Sequence, residues 1–296
     1  MASHSANYRG ILAMIGGSAC FSANDAATKF VTQFLPVSEI VALRGCFALL
    51  IAFLVVAWRK EIFALPAIRH PYLMLRALIE AVIGVLAIYA LSRMQIANFT
   101  AIILIQPFIM TAIGAIWFEE VVGWRRWTAV AAGFFGMLFV MKPATADFEL
   151  VSLVALLAAL LSITRDLLVR KIHADVPTTV ISFSTALFAV PVGLVGAAVE
   201  PWTTPDLPTL LVIVVAAAFL FAAFLLTVTA FRGTDVSAVS PFRYSIVVFA
   251  FIFGIAVFQE VPDAVSLIGI GIIVGAGLYM LHREAVRRRD TVSAPR

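Results

Sequence analysis

Charge, histidine and cysteine are all scarce in this chain of 296 residues, and each shortage excludes something. Asp, Glu, Lys and Arg make up only 13% of it and hydrophobic residues 62%, whereas soluble domains carry roughly a quarter charged residues. That balance excludes an ordinary water-soluble globular domain. The four histidines, His4, His70, His173 and His282, sit at the ends of the long apolar stretches or outside them, leaving no intramembrane imidazole for a Ser/His pair or a zinc cluster. Cys20 and Cys46 stand alone in separate apolar stretches and form neither a metal pattern nor a disulfide framework. No Gly-x-x-x-x-Gly-Lys-Ser/Thr sequence occurs, so the glycine-rich stretches are not read as a phosphate-cradling loop, and no connection is long enough to fold as a soluble domain. No cleavable signal peptide is expected either, because the apolar character of the first stretch continues past Gly16-Gly17-Ser18-Ala19.

Ten apolar stretches are present, at about residues 8–34, 36–58, 71–91, 95–118 and 121–141, then 150–171, 176–199, 208–231, 236–258 and 262–281. Each approaches the roughly 20 residues that a membrane-spanning helix needs. The expected fold is an all-α integral membrane protein of ten transmembrane helices. Landmarks recur about 140 residues apart: Leu104 to Trp117-Phe118-Glu119-Glu120 is matched by Tyr244 to Val257-Phe258-Gln259-Glu260, and Asp25, Lys29 and Pro36 by Asp166, Arg170 and Pro177. Two five-helix repeats follow, at residues 8–142 and 149–282, with a cytoplasmic tail at 283–296. An odd number of crossings per repeat makes the second copy enter inverted, with the substrate path expected where the halves meet. Lys and Arg choose the orientation: with the amino terminus inside, Arg59, Lys60, Arg69, Arg125, Arg126, Arg170, Lys171, Arg232 and the tail arginines are cytoplasmic, and only Arg93 and Lys142 lie opposite. Both termini are then cytoplasmic. The net charge of +4 belongs to this asymmetry rather than to nucleic-acid binding.

Polar side chains inside the spans are the functional candidates, because hydrocarbon makes them expensive. Glu80 lies midway along the third span with Arg76 one turn earlier, which is the spacing of a self-neutralising pair; facing a cavity, Glu80 instead attracts a cation or carries a proton. Arg243, in Ser240-Pro241-Phe242-Arg243-Tyr244-Ser245, has no acid one turn away, and its planar guanidinium suits a carboxylate, a phosphate or an aromatic ring. Gln106 precedes Pro107 in the fourth span and both donates and accepts. Tyr89, Tyr244 and Asn24 complete the candidate substrate contacts. Asp25, Lys29, Arg44, Arg165, Asp166, Glu120 and Glu260 are read as gating or structural: Asp25 can pair with Lys29 and Asp166 with Arg170 at i,i+4, Arg165 points elsewhere, and Arg44 ties Asp25 or Glu39 to the bundle. The glycines of 133–136 and 269–277 are read as close helix contacts.

The paired fourth and ninth spans with their terminal acids, together with Asn24-Asp25, Arg44 and Pro241-Phe242-Arg243-Tyr244, resemble the drug/metabolite transporter superfamily, specifically its two-repeat EamA type. The resemblance covers nearly the whole chain. It implies a ten-helix bundle that moves small organic molecules by alternating access, usually in the bacterial inner membrane, with carriers of amino acids, amines and other metabolites among its members. Gln259-Glu260 and Glu119-Glu120 depart from the Gly-Glu pair common in that group. The leading expectation is a secondary transporter of a small charged or zwitterionic metabolite, without a cofactor, in which proton coupling and substrate exchange are both open and monomer and homodimer are equally compatible. An intramembrane carboxylate-dependent enzyme and a passive channel are the alternatives.

Overall fold

A computed structural model describes residues 4–117, 123–143, 150–169, 172, 176–231, 234 and 236–293. The described residues contain helices and no strands. In chain order the α-helices are α1 (His4–Val31), α2 (Val37–Trp58), α3 (Pro71–Leu91), α4 (Ile96–Ile103), α5 (Gln106–Trp117), α6 (Trp124–Met141), α7 (Val151–Val169), α8 (Thr178–Gly196), α9 (Leu207–Phe231), α10 (Val236–Val239), α11 (Ser245–Phe258) and α12 (Ala264–Ser293). Short 3-10 helices cover Ile62–Arg69 and Ser240–Tyr244.

Eight segments among the described residues are long and apolar enough to cross a membrane, counting α4 with α5 and the 3-10 turn with α11 as single crossings. α1 and α6 are not among the eight. The first carries Arg9, Asn24, Asp25 and Lys29, and the second opens on Trp124-Arg125-Arg126-Trp127, which lowers the apolar average of both.

The fourth and ninth spans are broken where proline forbids continuation. Pro107 has no N–H to donate to the Ile103 carbonyl and its ring crowds that oxygen, so α4 stops at Ile103 and α5 starts at Gln106. Pro241 acts similarly on Ser237, and the chain passes through the 3-10 turn before α11 begins. Proline therefore opens the helical ladder in both spans.

The chain forms two compact units, each built from helices of both sequence halves. One, here the outer-segment unit, contains residues 1–22, 95–149 and 222–296; the other, the inner-segment unit, contains 23–94 and 150–221. Inside the inner-segment unit α2 packs along α8, and α3 along α7 and α8. Ala42 lies against Gly193, and Gly45 against Ala189 and Val190, so the numbering rises on one helix as it falls on the other and the pair is antiparallel. Both ends are clamped. The Ser38 N–H donates to Glu200 at 3.0 Å and the Thr203 N–H to Glu39 at 3.0 Å, while at the far end the Thr179 hydroxyl donates to Glu61. Val31, Leu35, Ile40, Val41, Ile88 and Ile213 form an apolar core beneath the first clamp.

Inside the outer-segment unit α6 packs along α12, and α4 along α11. Gly136 and Gly269 face each other, and Lys142 pairs with Asp263, so α6 and α12 are also antiparallel. Asp263 accepts the Ser266 N–H at 2.9 Å as the N-cap of α12, and the Lys142 ammonium beside it holds its carboxyl below the usual carboxylate range. α11 ends on Gln259, which is left-handed at φ 56° and lets the Glu260 N–H reach back to the Gly254 carbonyl at 2.9 Å. That conformation costs a side-chain-bearing residue about 1 kcal/mol. Gln259→Gly is therefore expected to stabilise the protein by about 0.5–1 kcal/mol in a denaturant titration; a loss of stability would show that the glutamine side chain matters more than the backbone.

Candidate functional site

The inner-segment unit concentrates charge inside apolar helices. Arg165 on α7 donates from Nη1 to the Glu80 carboxylate on α3 at 2.7 Å. Its Nε and Nη2 both face Asp166 Oδ1, at 2.9 and 2.8 Å. One guanidinium is thus forked between two acids, as its planar donor set permits. Arg76 does not form the local pair expected with Glu80: its Nη1 donates to the Thr185 hydroxyl of α8 at 2.9 Å, although Arg76 stays within electrostatic reach of Glu80, Arg165 and Asp166. The reason is packing. α3 presents this face to both α7 and α8, and a partner on α7 reaches Glu80 with better geometry than a neighbour on the same helix.

Arg44 on α2 lies beside Gly84 and within electrostatic reach of both Asp25 and Glu80. Asp25 accepts from the Asn24 amide at 3.0 Å, and Asn24 itself is buried. The cluster therefore holds three acids, Asp25, Glu80 and Asp166, and three arginines, Arg44, Arg76 and Arg165, and is formally neutral. Neutrality relieves the cost of placing six charges in spans, but each remains dependent on its partners. Lys29, expected beside Asp25, donates to the Met94 carbonyl at 2.6 Å. Asp166 takes Arg165 as its partner, and Arg170 lies outside the described residues. Glu39, one of the two acids considered for Arg44, serves the Thr203 cap instead. Tyr89 lies about two and a half turns beyond Glu80 on α3, its ring 4.8 Å from the Arg93 guanidinium carbon.

The remaining candidates belong to the outer-segment unit. Gln106 opens α5 and is half-buried. Arg243 is exposed in the 3-10 turn, and its carbonyl accepts from Ser18 at 3.5 Å. Tyr244 is buried against α12 at Gly277, where a Cβ would collide with the phenol. Its hydroxyl is buried without a hydrogen-bond partner among the described residues. Glu260 accepts the Ile96 N–H at 3.3 Å, which caps the start of α4, and the Gln95 amide donates to the adjoining Val261 carbonyl at 3.5 Å. Glu120 lies outside the described residues. Thr185, Glu200 and Trp202 were not singled out from sequence; a lone polar side chain carries no periodic signal, and only the packing of α8 against α2 and α3 reveals their partners.

Apolar helices of membrane-spanning length, with charge paired inside them, define a multi-pass membrane protein. The chain belongs to the EamA-like transporter family, whose model matches it twice, over residues 8–142 and 150–281. Among curated relatives, the S-adenosylmethionine uptake transporter of Rickettsia bellii is 28% identical over 66% of this chain and 67% of its own. The riboflavin transporter of Vibrio cholerae is 29% identical over 71% of each chain. The pseudopaline exporter CntI of Pseudomonas aeruginosa is 27% identical over 93% of this chain and 96% of its own. A crystal structure 18% identical to the chain matches it with a TM-score of 0.65, covering 94% of this chain and 98% of the other, and supports the fold. Family and relatives are transporters rather than enzymes, so the general activity is membrane transport of a small molecule.

Proposed function

We propose that the protein is a secondary active transporter of a small charged or zwitterionic organic metabolite, working by alternating access in a bacterial inner membrane with both termini cytoplasmic. The observation that carries this reading is the neutral cluster around Arg165, in which one guanidinium serves Glu80 and Asp166 while Arg44 and Arg76 stand nearby. A charged cargo group can exchange with one arm of such a fork because a displaced Glu80 stays within electrostatic reach of Arg44 and Arg76 and a released Arg165 keeps Asp166, whereas an apolar cargo gains nothing from it. Cargo contact is assigned to Glu80, Asn24 and Tyr89 in the inner-segment unit and to Gln106, Arg243 and Tyr244 in the outer-segment unit. Asp25, Lys29, Arg44, Arg165, Asp166, Glu120 and Glu260 hold or gate the helices.

A ten-span chain of two inverted repeats is supported by helix direction. α2 and α8 occupy equivalent places in the two repeats and pack antiparallel, as do α6 and α12. The named cargoes of the relatives are small organic metabolites, and those relatives include both uptake and export proteins. Counterflow into proteoliposomes, which does not depend on the physiological direction, is therefore the assay that fits. With a panel of amino acids, amines and related metabolites, saturable exchange of at least one charged compound is expected. Arg243→Ala and Glu80→Gln should each cut that exchange at least tenfold in protein that remains monodisperse. Exchange confined to uncharged compounds, or unchanged in both variants, would refute the assignment.

A further inference from the structure

The connection between α2 and α3 carries exposed cations and exposed large apolar side chains together. Both helices are membrane-spanning in length and composition, so residues 59–70 lie at a membrane face. α2 closes with Lys60 left-handed at φ 57°; its N–H reaches Ala57 and the Glu61 N–H reaches Val56, a Schellman closure that turns the chain into the 3-10 helix Ile62–Arg69. Trp58 is 81% exposed, Ile62 50% and Phe63 80%, and Arg59, Lys60 and Arg69 are exposed as well. The 3-10 helix packs on α3 and α8, so Ile62, Phe63 and Arg69 project from a docked element, with Trp58 at the end of α2 and Arg59 and Lys60 in the turn between the two. Glu61 is the one acid between Trp58 and Tyr72, and it is engaged by the Thr179 hydroxyl of α8. It is thereby withdrawn from the three cations, none of which pairs with an acid among the described residues.

We propose that this segment is a binding surface for anionic lipid headgroups. Ile62 and Phe63 enter the boundary between headgroups and acyl chains, Trp58 sits at the same level, and Arg59, Lys60 and Arg69 hold lipid phosphates. Apolar side chains beside cations match a surface that is apolar below and anionic above; bulk water satisfies only the cations and a purely zwitterionic surface leaves their net charge unmatched. The orientation read from the basic residues places the surface on the cytoplasmic leaflet.

The test is lipid retention by the purified full-length protein, titrated with phosphatidylglycerol or phosphatidylcholine and read by native mass spectrometry. The wild type should retain phosphatidylglycerol in preference to phosphatidylcholine, less so as salt rises. R59Q/K60Q/R69Q should weaken phosphatidylglycerol retention on the order of 100-fold, about fivefold per cation, while R59K/R69K retains it. Phe63→Ser should lower retention of both lipids. Equal retention of the two lipids by the wild type, or equal phosphatidylglycerol retention by the wild type and the triple Gln variant, would overturn the proposal. A change in oligomeric mass in the triple variant would overturn it in favour of a face for a second copy.

Discussion

Replacing Arg165 with methionine is expected to destabilise the protein by about 3 kcal/mol, because Glu80 then keeps its charge inside an apolar helix pair without the cation that faces it at 2.7 Å. Both side chains of the pair are largely shielded, with 17% and 15% of their surface exposed, so solvent screening reduces this cost only partly. Asp166 loses the same partner but is 46% exposed and can turn to water at small cost. The double variant R165M/E80Q should recover most of the loss, since it removes the stranded charge together with its partner. A denaturant titration in mixed micelles on the two single variants and the double one gives the coupling energy as a double-mutant cycle. Equal, additive losses would show that the two residues act independently and would remove the structural basis of the cluster. The same cycle separates stability from transport: if E80Q keeps its fold and loses exchange, Glu80 acts on cargo rather than only on Arg165.

The second large effect is expected at the crossing of α6 and α12. A Cβ built on Gly136 would lie 2.8 Å from the Gly269 carbonyl oxygen, and one on Gly269 would lie 2.6 Å from the Gly136 carbonyl oxygen. Both obstacles are backbone, so the helices themselves must separate. Helix pairs in a bilayer owe their association to close packing more than to hydrophobic burial, which makes separation costly. Gly136→Val should therefore cost about 3 kcal/mol. Gly271→Val is the matched control: a Cβ at Gly271 meets nothing within 4 Å, and the change should stay within about 0.5 kcal/mol. Comparable losses at the two positions would mean that glycine matters here for chain flexibility rather than for helix approach. Gly193 on α8 makes the equivalent contact in the inner-segment unit, where a Cβ would lie 2.5 Å from the Ala42 nitrogen.

These two sites mark where reading the chain in one dimension succeeds and where it stops. The glycine contact was legible in kind, because small residues inside apolar runs mean close helices, but Gly136 and Gly271 look alike in sequence and only the crossing distinguishes them. The Glu80 partner was legible only in part. Local spacing offers Arg76, one turn away, whereas Arg165 lies 85 positions distant and reaches Glu80 because α3 and α7 pack together. Glu260 shows the same limit: its place at the end of the ninth span was evident, and its work as an N-terminal cap on α4 was not, since Ile96 is 164 residues away. The breaks at Pro107 and Pro241 needed no tertiary information, because a missing N–H acts on the carbonyl four residues earlier in the same helix.

The chain by itself determined that it is a membrane protein, that its spans recur as two related sets, and which polar residues lie within them. These follow from transfer free energy and local sterics, which depend on residue type and on near neighbours. Only the tertiary structure decided that each compact unit draws helices from both sets, that Arg165 serves two acids at once, and that Glu61 is turned aside to leave three cations exposed. Pairings of that kind depend on which helix faces pack, and a guanidinium or a carboxylate takes the best-placed partner in space rather than the nearest one in sequence.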